Sequence, residues 1–243
     1  MTSLTATLAA RPDGDATESL SLNAAATAAA SGLTVNYDSG TGVLSITGSA
    51  TKDVYQTILN GIVYNNTSNN PTTTPRSIDV VVNDGSANST TATVTVNVTA
   101  ANDAPVNTLP ASYSTDEDTN VQLTGLSVAD ADAGSGSISV TLSVGSGALT
   151  ATAGGGVGVS GSGTGTLVLT GTLADINTFL GGASAPTFVP AGNASGDVTL
   201  TMTTNDNGNS GGGAQSDTDN RTITVNAVAD APSLTVNDAS SDE

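Results

Sequence analysis

Short runs of alternating apolar and polar residues recur along the whole chain. Residues 4–8, 91–98 and 198–202 follow a two-residue period, and similar or wholly apolar runs cover residues 43–47, 78–82, 121–128, 138–144, 167–169 and 223–225. Such runs predict β-strands that bury one face or both. Clusters of Gly, Asp and Asn separate the runs and predict turns. The pattern therefore predicts an all-β fold, with antiparallel strands arranged as a β-sandwich.

Helical signals are confined to two short segments. Residues 51–60 begin with Thr51, residues 173–180 follow Thr172, and each segment has an early Asp, Asp53 or Asp175, which predicts about one helical turn in each. The Gly-rich run over residues 154–165 has no Lys and no βαβ setting, so it predicts a flexible loop between strands rather than a nucleotide-binding loop. Asp13 and Asp15 lie in an Arg-Pro-Asp-Gly-Asp sequence, which predicts a turn.

An internal repeat sets the domain organisation. The sequence Gly-Val-Leu-Ser-Ile-Thr-Gly at residues 42–48 recurs as Gly-Thr-Leu-Val-Leu-Thr-Gly at residues 165–171, and Asp-Ala-Pro at residues 103–105 recurs at residues 230–232. Asp103 and Asp230 are 127 positions apart, which gives the repeat length. We predict an incomplete β-sandwich repeat over residues 1–102 that lacks its first strands, and a complete repeat over residues 103–229. Residues 230–243 are either the start of a third repeat or a donor-type strand. Short Asp-Ala-Pro linkers join the repeats, and proline stiffens them.

The amino-acid composition excludes several classes of function. The chain has 22 acidic and 4 basic residues, a net charge of −18, and no Cys or His. Nucleic-acid binding needs Lys and Arg, so this charge argues against it. The absence of Cys and His excludes disulfides, zinc sites, thiol nucleophiles and His-based catalysis. No stretch is apolar enough for membrane insertion, and residues 1–14 do not have the pattern of a signal peptide. Of the acidic residues, 19 are Asp and 3 are Glu, a bias that points to divalent cations.

Strand directions bring oxygen-bearing side chains to one end of the complete repeat. If residues 106–113 run up and residues 121–128 run back, the following loop lies at the end that faces the first repeat. The loop over residues 205–220 and the linker residue Asp103 lie at the same end. The predicted ligands there are Asp103, Asp130, Asp132, Asn205, Asp206, Asp217 and Asp219. Calcium takes about six to eight oxygen ligands, so we expect Ca2+ at this end. The alternative is that Asp and Asn simply form turns here.

A second acidic group is expected at the opposite end of the same repeat. It consists of Glu117 and Asp118, which follow Asp116, together with the linker residue Asp230. These three residues are candidate ligands for a further calcium ion at the next junction.

The sequence resembles a known family at several of these motifs. VNDGSANSTTATVTVNVTAANDAP, which ends at Pro105, and GLSVADADAGSGSISVTLSVGSG, which contains Asp130 and Asp132, are similar to the cadherin-like tandem repeats of giant RTX-type bacterial adhesins. The resemblance implies cadherin-like or immunoglobulin-like sandwiches, calcium between them, and an extracellular position at the bacterial cell surface. The fuller Asp-X-Asn-Asp-Asn linker of animal cadherins is absent, which implies fewer ions at each junction.

These observations favour calcium-stiffened extender repeats of a surface adhesin, whose partners are neighbouring repeats of the same or an identical chain. Two alternatives remain. The chain could bind a host or cell-surface glycan or protein, or it could be the subunit of an extracellular filament assembled by strand donation. Enzyme activity is not expected, because acid-pair chemistry needs a cleft with a raised carboxyl pKa and serine chemistry needs a base.

Overall fold

The computed structural model describes residues 1–232 and 234. It divides into two compact units: unit 1 is Met1–Asn102 with Ser210–Gly212, and unit 2 is Asp103–Asn209 with the chain from Gly213 onward. Strands make up 43% of the structure and helices 10%. The prediction of an all-β fold with antiparallel sheets is confirmed. The expected start of a third repeat falls mostly on residues 233 and 235–243, outside the described residues.

Unit 1 is built on a main sheet with the strand order β3-β4-β1-β6-β7, in which neighbouring strands are antiparallel. A second sheet pairs β2 with β5. Its elements are β1 (Ser3–Leu8), β2 (Glu18–Leu22), α1 (Ala24–Ala29), β3 (Thr34–Asp38), β4 (Val43–Thr47), α2 (Lys52–Asn60), β5 (Ile62–Asn66), β6 (Arg76–Asn83) and β7 (Ala92–Val96).

The core of unit 1 follows from the alternation of its strands. Leu4, Ala6 and Leu8 on β1 are completely buried, whereas the residues between them lie at the surface or half-buried. They pack with Leu20 of the second sheet and Ile58 of α2. Burial of each large aliphatic side chain contributes about 1.5–3 kcal/mol, so the small aliphatic residues of this sequence still form a closed core.

The helices differ from the expectation of single turns. α2 starts after Thr51, whose Oγ1 accepts the Val54 N–H, and it continues for nine residues because Tyr55 and Ile58 are buried three positions apart. α1 was not predicted. Its sequence is almost entirely Ala, so it has no contrast between apolar and polar positions. The available signal was Asn23, whose Oδ1 caps the helix by accepting the Ala26 N–H at 2.9 Å.

Unit 2 repeats this architecture and adds strands at its start. Its main sheet has the order β14-β15-β12-β17-β18-β9, and smaller sheets are β10-β16-β13 and β11-β8. Its elements are β8 (Val106–Thr108), β9 (Tyr113–Asp116), β10 (Val121–Gln122), β11 (Ser127–Ala129), β12 (Ser137–Val144), β13 (Ala148–Thr150), β14 (Gly158–Ser160), β15 (Thr166–Thr172), α3 (Leu173–Gly181), β16 (Thr187–Val189), β17 (Gly196–Asn205) and β18 (Ser216–Asn226).

Two predicted elements of unit 2 are corrected by the structure. Residues 121–128 do not form one strand, because Gly125 has a φ of 81° and lies against Pro110. The chain therefore switches sheets, with β10 on β16 and β11 on β8. The Gly-rich run is not wholly a loop, since Gly158 and its neighbours pair with β15 as β14.

The added segment also contains a parallel pair. β9 lies on the outer edge of β18 with Tyr113 opposite Ile223 and Asp116 opposite Asn226, whereas the other pairs of this sheet are antiparallel. Tyr113 is buried, and its hydroxyl donates to the carbonyl oxygen of Thr124 at 2.8 Å. Burial raises the pKa of Tyr113 to about 12, so this hydroxyl stays protonated in neutral solution.

Candidate functional site

One end of unit 2 brings together the start of β8, the loop between β11 and β12, and the loop after β17. Ala129 pairs with Val106, and Ser139 pairs with Asn205, so the ends of these strands coincide. The side-chain amides of Asn207 and Asn209 both donate to the carbonyl oxygen of Ser137, at 2.8 and 2.9 Å. The loop positions predicted from strand direction therefore meet at this end.

Half-buried Asp130 and buried Asp132 form a carboxylate pair. The Oδ1 atom of Asp130 accepts the N–H groups of Asp132 and Ala133 at 3.0 and 2.9 Å, which closes the turn. Asp132 is 4% exposed, and its Oδ2 accepts the N–H of Asp103 at 3.1 Å. The Asp130–Asp132 pair thus ties the linker residue Asp103 to the loop.

The other oxygen of each carboxylate has no hydrogen-bond partner among the described residues. Asp130 Oδ2 and Asp132 Oδ1 are both buried in the structure. Burial raises the pKa of Asp130, and the neighbouring Asp132 carboxyl raises it further. A buried acceptor without a donor costs about 1–3 kcal/mol, and more when it is charged. This end of unit 2 therefore holds two neighbouring carboxyl groups, each with a buried oxygen that no donor in the described part of the chain satisfies.

Asp206 and Asn205 are committed to the loop that they begin. Asp206 is 1% exposed, and its Oδ1 accepts the N–H groups of Gly208 and Gln215, each at 2.8 Å. The Oδ1 atom of Asn205 accepts the Asn207 N–H, and its amide donates to Ser216 Oγ, both at 2.8 Å. These contacts fit the alternative in which Asp and Asn form turns.

Asp217 forms hydrogen bonds with Asn107, a residue that the sequence analysis did not include among the candidate ligands. Its Oδ2 accepts the backbone N–H of buried Asn107 at 2.7 Å, and the Asn107 amide donates to the Asp217 carbonyl at 3.0 Å. Thr204 Oγ1 donates to Asn107 Oδ1 at 2.6 Å. Asp219 lies two positions further along β18, opposite Met202. Asn107 was missed because it occupies an ordinary inward position of a short strand.

The second predicted group lies at the other end of β18. Glu117 is buried, and its Oε1 accepts the Val228 N–H at 2.7 Å. Asp118 has a φ of 60°, and its Oδ1 accepts the Asn193 N–H at 3.3 Å, while Asp230 is exposed. Asp217 and Asn226 are nine positions apart on β18, which is about 30 Å. The ten candidate ligands therefore fall into two separate groups.

The two groups do not assemble into a complete metal cage. Within residues 1–232, no set of three or more Asp, Glu, His or Cys side chains stands close enough to hold a metal ion. What the structure brings together at the first end is the Asp130–Asp132 pair with the backbone of Asp103.

A buried ionic cluster in unit 1 was also missed. Arg76 and Glu18 are completely buried, and Arg76 Nη2 and Nε both donate to Glu18 Oε1, at 2.6 and 3.1 Å. Asp13 accepts from Arg76 Nη2 and from the N–H of Thr72. The signal in the sequence was the inward phase of Arg76, which alternates with the buried residues Ile78 and Val80 on β6.

The hydrogen bonds of this cluster act on the pKa of Asp13. Burial alone would raise it, but the N–H of Thr72, the amide of Asn66 and the charge of Arg76 together hold the pKa below its ordinary value. The Pro-Asp-Gly turn predicted at Asp13 therefore also anchors the segment around Thr72 to β6. Glu18 Oε2 is buried without a hydrogen-bond partner in the part of the chain that the structure describes, but the charges of Glu18 and Asp13 are both paired with Arg76, which fits a structural role.

Comparison with known proteins does not assign this chain to a family. No model of a protein family matches the chain, and no curated protein does. A solved structure described as manganese lipoxygenase of Gaeumannomyces graminis with partial zonadhesin of Komagataella pastoris is similar with TM-score 0.30 and 13% identity, over 91% of this chain and 81% of that one. Human CDH23 EC21-23 is similar with TM-score 0.32 and 13% identity, over 79% and 50%. The adhesin InvE of Yersinia pseudotuberculosis is similar with TM-score 0.23 and 14% identity, over 86% and 48%.

This chain thus spans about half the length of the last two structures. Likeness at these TM-scores carries no argument about function. In the part of the chain that the structure describes, the helices are too short and too polar for any of them to span a membrane.

Proposed function

We propose that this chain consists of structural repeats of an extracellular bacterial adhesin, stiffened by calcium bound at the start of unit 2. The observation that carries the proposal is the pair of buried, unpartnered oxygen atoms, Asp130 Oδ2 and Asp132 Oδ1. The resemblance of the sequence to cadherin-like adhesin repeats supports the same conclusion. Unit 2 is a folded β-sandwich that needs no ion to complete its core, so calcium would act on its end.

Charge explains why a cation belongs there. Two carboxylates in one buried turn repel each other, and the chain as a whole carries −18. A divalent cation that prefers oxygen ligands would satisfy both free oxygens at once. Asp130 and Asp132 would supply two ligands, and carbonyl oxygens and water would complete the coordination. MgCl2 should substitute poorly, because Mg2+ demands stricter octahedral geometry.

The mechanical role follows from the contact with Asp103. Asp132 already accepts the N–H of this linker residue, so an ion held by Asp132 would fix the linker to the loop between β11 and β12. Restricting the linker in this way would make an array of repeats resist bending. The proposal includes no catalytic role, since the chain has no His or Cys to act as base or nucleophile.

Small-angle scattering with calorimetric titration tests the proposal. We expect calcium to bind to the full chain and to narrow the range of intramolecular distances that scattering detects. Chelator should reverse both effects. Asp130→Asn with Asp132→Asn should abolish the response. Asp15→Asn with Asp53→Asn removes the same charge from exposed positions of unit 1 and should keep the response. Binding without any change in scattering would contradict the stiffening role, and absence of binding would contradict the site.

A further inference from the structure

The inner face of β7 in unit 1 is left uncovered. Val94 pairs with Ile78 across the sheet, and Val96 pairs with Arg76. Ile78 is 7% exposed and Arg76 is completely buried, whereas Val94 on the same face is 54% exposed. Among the described residues, no strand lies on the outer side of β7. Apolar side chains on a core-facing surface beside an unpaired edge form a template for an added strand.

Unit 2 shows what covers the equivalent strand. The chain from β8 to β9 runs beside β18 over its length: Asn107 bonds to Asp217, the Pro110 carbonyl accepts Arg221 Nε at 2.8 Å, and Tyr113 pairs with Ile223. Under this cover Ile223 is completely buried and Val225 is 4% exposed.

The two strands correspond residue by residue. The shared Gly-bounded sequence of β4 and β15, with the ladders that join these strands to β6 and β17, aligns Val94 with Arg221 and Val96 with Ile223. β7 stops at Val96, whereas β18 continues to Asn226, because β9 pairs with the last residues of β18. The parallel pairing of unit 2 corresponds to residues 96–99 of unit 1, at the end of β7 and just beyond it, and the preceding β8–β9 segment corresponds to the open edge beside Val94.

The sequence at the C-terminus has the span of the covering segment. Asp-Ala-Pro at residues 103–105 is followed by Asp116-Glu117 at the end of β9, and Asp-Ala-Pro at residues 230–232 is followed by Asp242-Glu243. Leu234 is 88% exposed. We propose that residues 231–243 of one copy of this chain add along the β7 edge of a second copy, as the β8–β9 segment lies along β18 in unit 2.

The side chains at the two surfaces change together. Counted from Asp-Ala-Pro, Leu234 stands where unit 2 has Asn107, and Val236 stands where it has Leu109. Opposite them, β7 and its approach present Thr90, Ala92 and Val94 where β18 presents Asp217, Asp219 and Arg221. Leu234 thus replaces the polar Asn107 where the facing edge lacks the charged residues Asp217, Asp219 and Arg221 of β18, which is a local complementarity of the kind that strand addition uses.

The contact is head-to-tail and leads to a filament. The donor segment and the acceptor edge are different surfaces of the same chain, so one contact leaves both ends of the pair free for another. This interaction does not use Asp130 or Asp132, and it is independent of the calcium site.

Cysteine pairs test the contact directly, because the chain has no Cys of its own. Val236→Cys is mixed with Val94→Cys, or with Thr95→Cys as the control, and each mixture is oxidised. Thr95 is exposed like Val94 but belongs to the opposite face of the same strand. We expect a disulfide-linked dimer of the two variants with Val94→Cys and not with Thr95→Cys. Equal yields in both mixtures, or no dimer in either, would overturn the proposal.

Assembly is tested with the full chain in chelator and in calcium. Light scattering and electron microscopy should show concentration-dependent assemblies in both buffers. Leu234→Asp with Val236→Asp should give monomers with an unchanged melting curve, since Leu234 lies outside both cores. An unmodified chain that stays monomeric at high concentration, or assemblies that survive the double substitution, would refute strand addition. Assemblies that form only in calcium would instead assign the contact to bound metal.

Discussion

Calcium should raise the melting temperature of unit 2 and leave that of unit 1 unchanged. The perturbation is a change from chelator to about 10 mM calcium, which is roughly 10–100 times the dissociation constant of extracellular calcium modules. The asymmetry is expected because the unpartnered Asp130 and Asp132 oxygens belong to unit 2. In unit 1, Glu18 Oε2 is also buried without a hydrogen-bond partner among the residues that the structure describes, but Glu18 and Asp13 both already have Arg76 as their cation.

The size of the shift follows from linkage. Ligand at 10–100 times its dissociation constant adds about 1.4–2.7 kcal/mol to the free energy of unfolding. That gain is comparable with the cost of about 1–3 kcal/mol for a buried acceptor without a donor. For domains of about 150–250 residues, each kcal/mol moves the melting temperature by about 2–4 °C. We therefore expect an increase of about 3–10 °C.

Differential scanning calorimetry measures the two transitions separately. Asp130→Asn with Asp132→Asn should remove the calcium shift, and in chelator this variant should be at least as stable as the parent because the repulsion between the two carboxylates is gone. The exposed control, Asp15→Asn with Asp53→Asn, should shift in calcium as the parent does. A calcium shift of equal size in both variants would refute the assignment, and identical parent curves with calcium and with chelator would refute the site altogether.

Three further outcomes follow from the contacts. Arg76→Ala should lower the free energy of unfolding of unit 1 by about 3–5 kcal/mol, because it leaves Glu18 buried without its partner; an unchanged first calorimetric transition would contradict this. Asp13 has a folded-state pKa below that of the unfolded chain. Ionised Asp13 therefore contributes fully to the free energy of unfolding above the unfolded pKa of about 3.9, and this contribution is lost as pH falls through the folded pKa. Acid titration of the parent should show this loss of stability in unit 1, and Asp13→Asn should not show it. Tyr113→Phe should destabilise unit 2 by about 0.5–1.5 kcal/mol through the lost hydrogen bond to Thr124, measured by urea unfolding; no loss would show that the bond contributes nothing net.

Strand positions were predictable because a two-residue period responds directly to burial. Residues 4–8 alternate in the sequence, and Leu4, Ala6 and Leu8 are buried in turn. Continuity was not predictable in the same way. Residues 121–128 look like one strand, but the positive φ of Gly125 and its contact with Pro110 depend on a segment more than ten positions earlier. A local pattern does not contain that information.

The positions of the acidic side chains at this end were predictable, whereas their hydrogen bonds were not. Strand direction alone brought Asp130, Asp132 and Asp103 to one end, since antiparallel strands must return their loops there. The hydrogen bonds of Asp206 and Asn205 were not predictable, because a short polar side chain can cap its own loop or coordinate an ion with the same sequence. The choice between these roles depends on which N–H groups the folded loop presents.

The two repeats differ at an edge strand and at one buried ion pair, and composition reveals neither difference. Both units have equivalent central strands, yet unit 2 buries its last strand under its own β8–β9 segment and unit 1 leaves β7 open. Unit 1 instead buries the Arg76–Glu18 ion pair, at a position where unit 2 has the apolar Val198. The pattern of inward aliphatic residues that the two units share therefore specifies the core. The residues that flank this pattern differ between the units, and both proposed contacts involve them. Val94 and Asp132 belong to this second class: Val94 is exposed apolar surface and Asp132 is a buried carboxyl group, and the two proposals give each of them a partner.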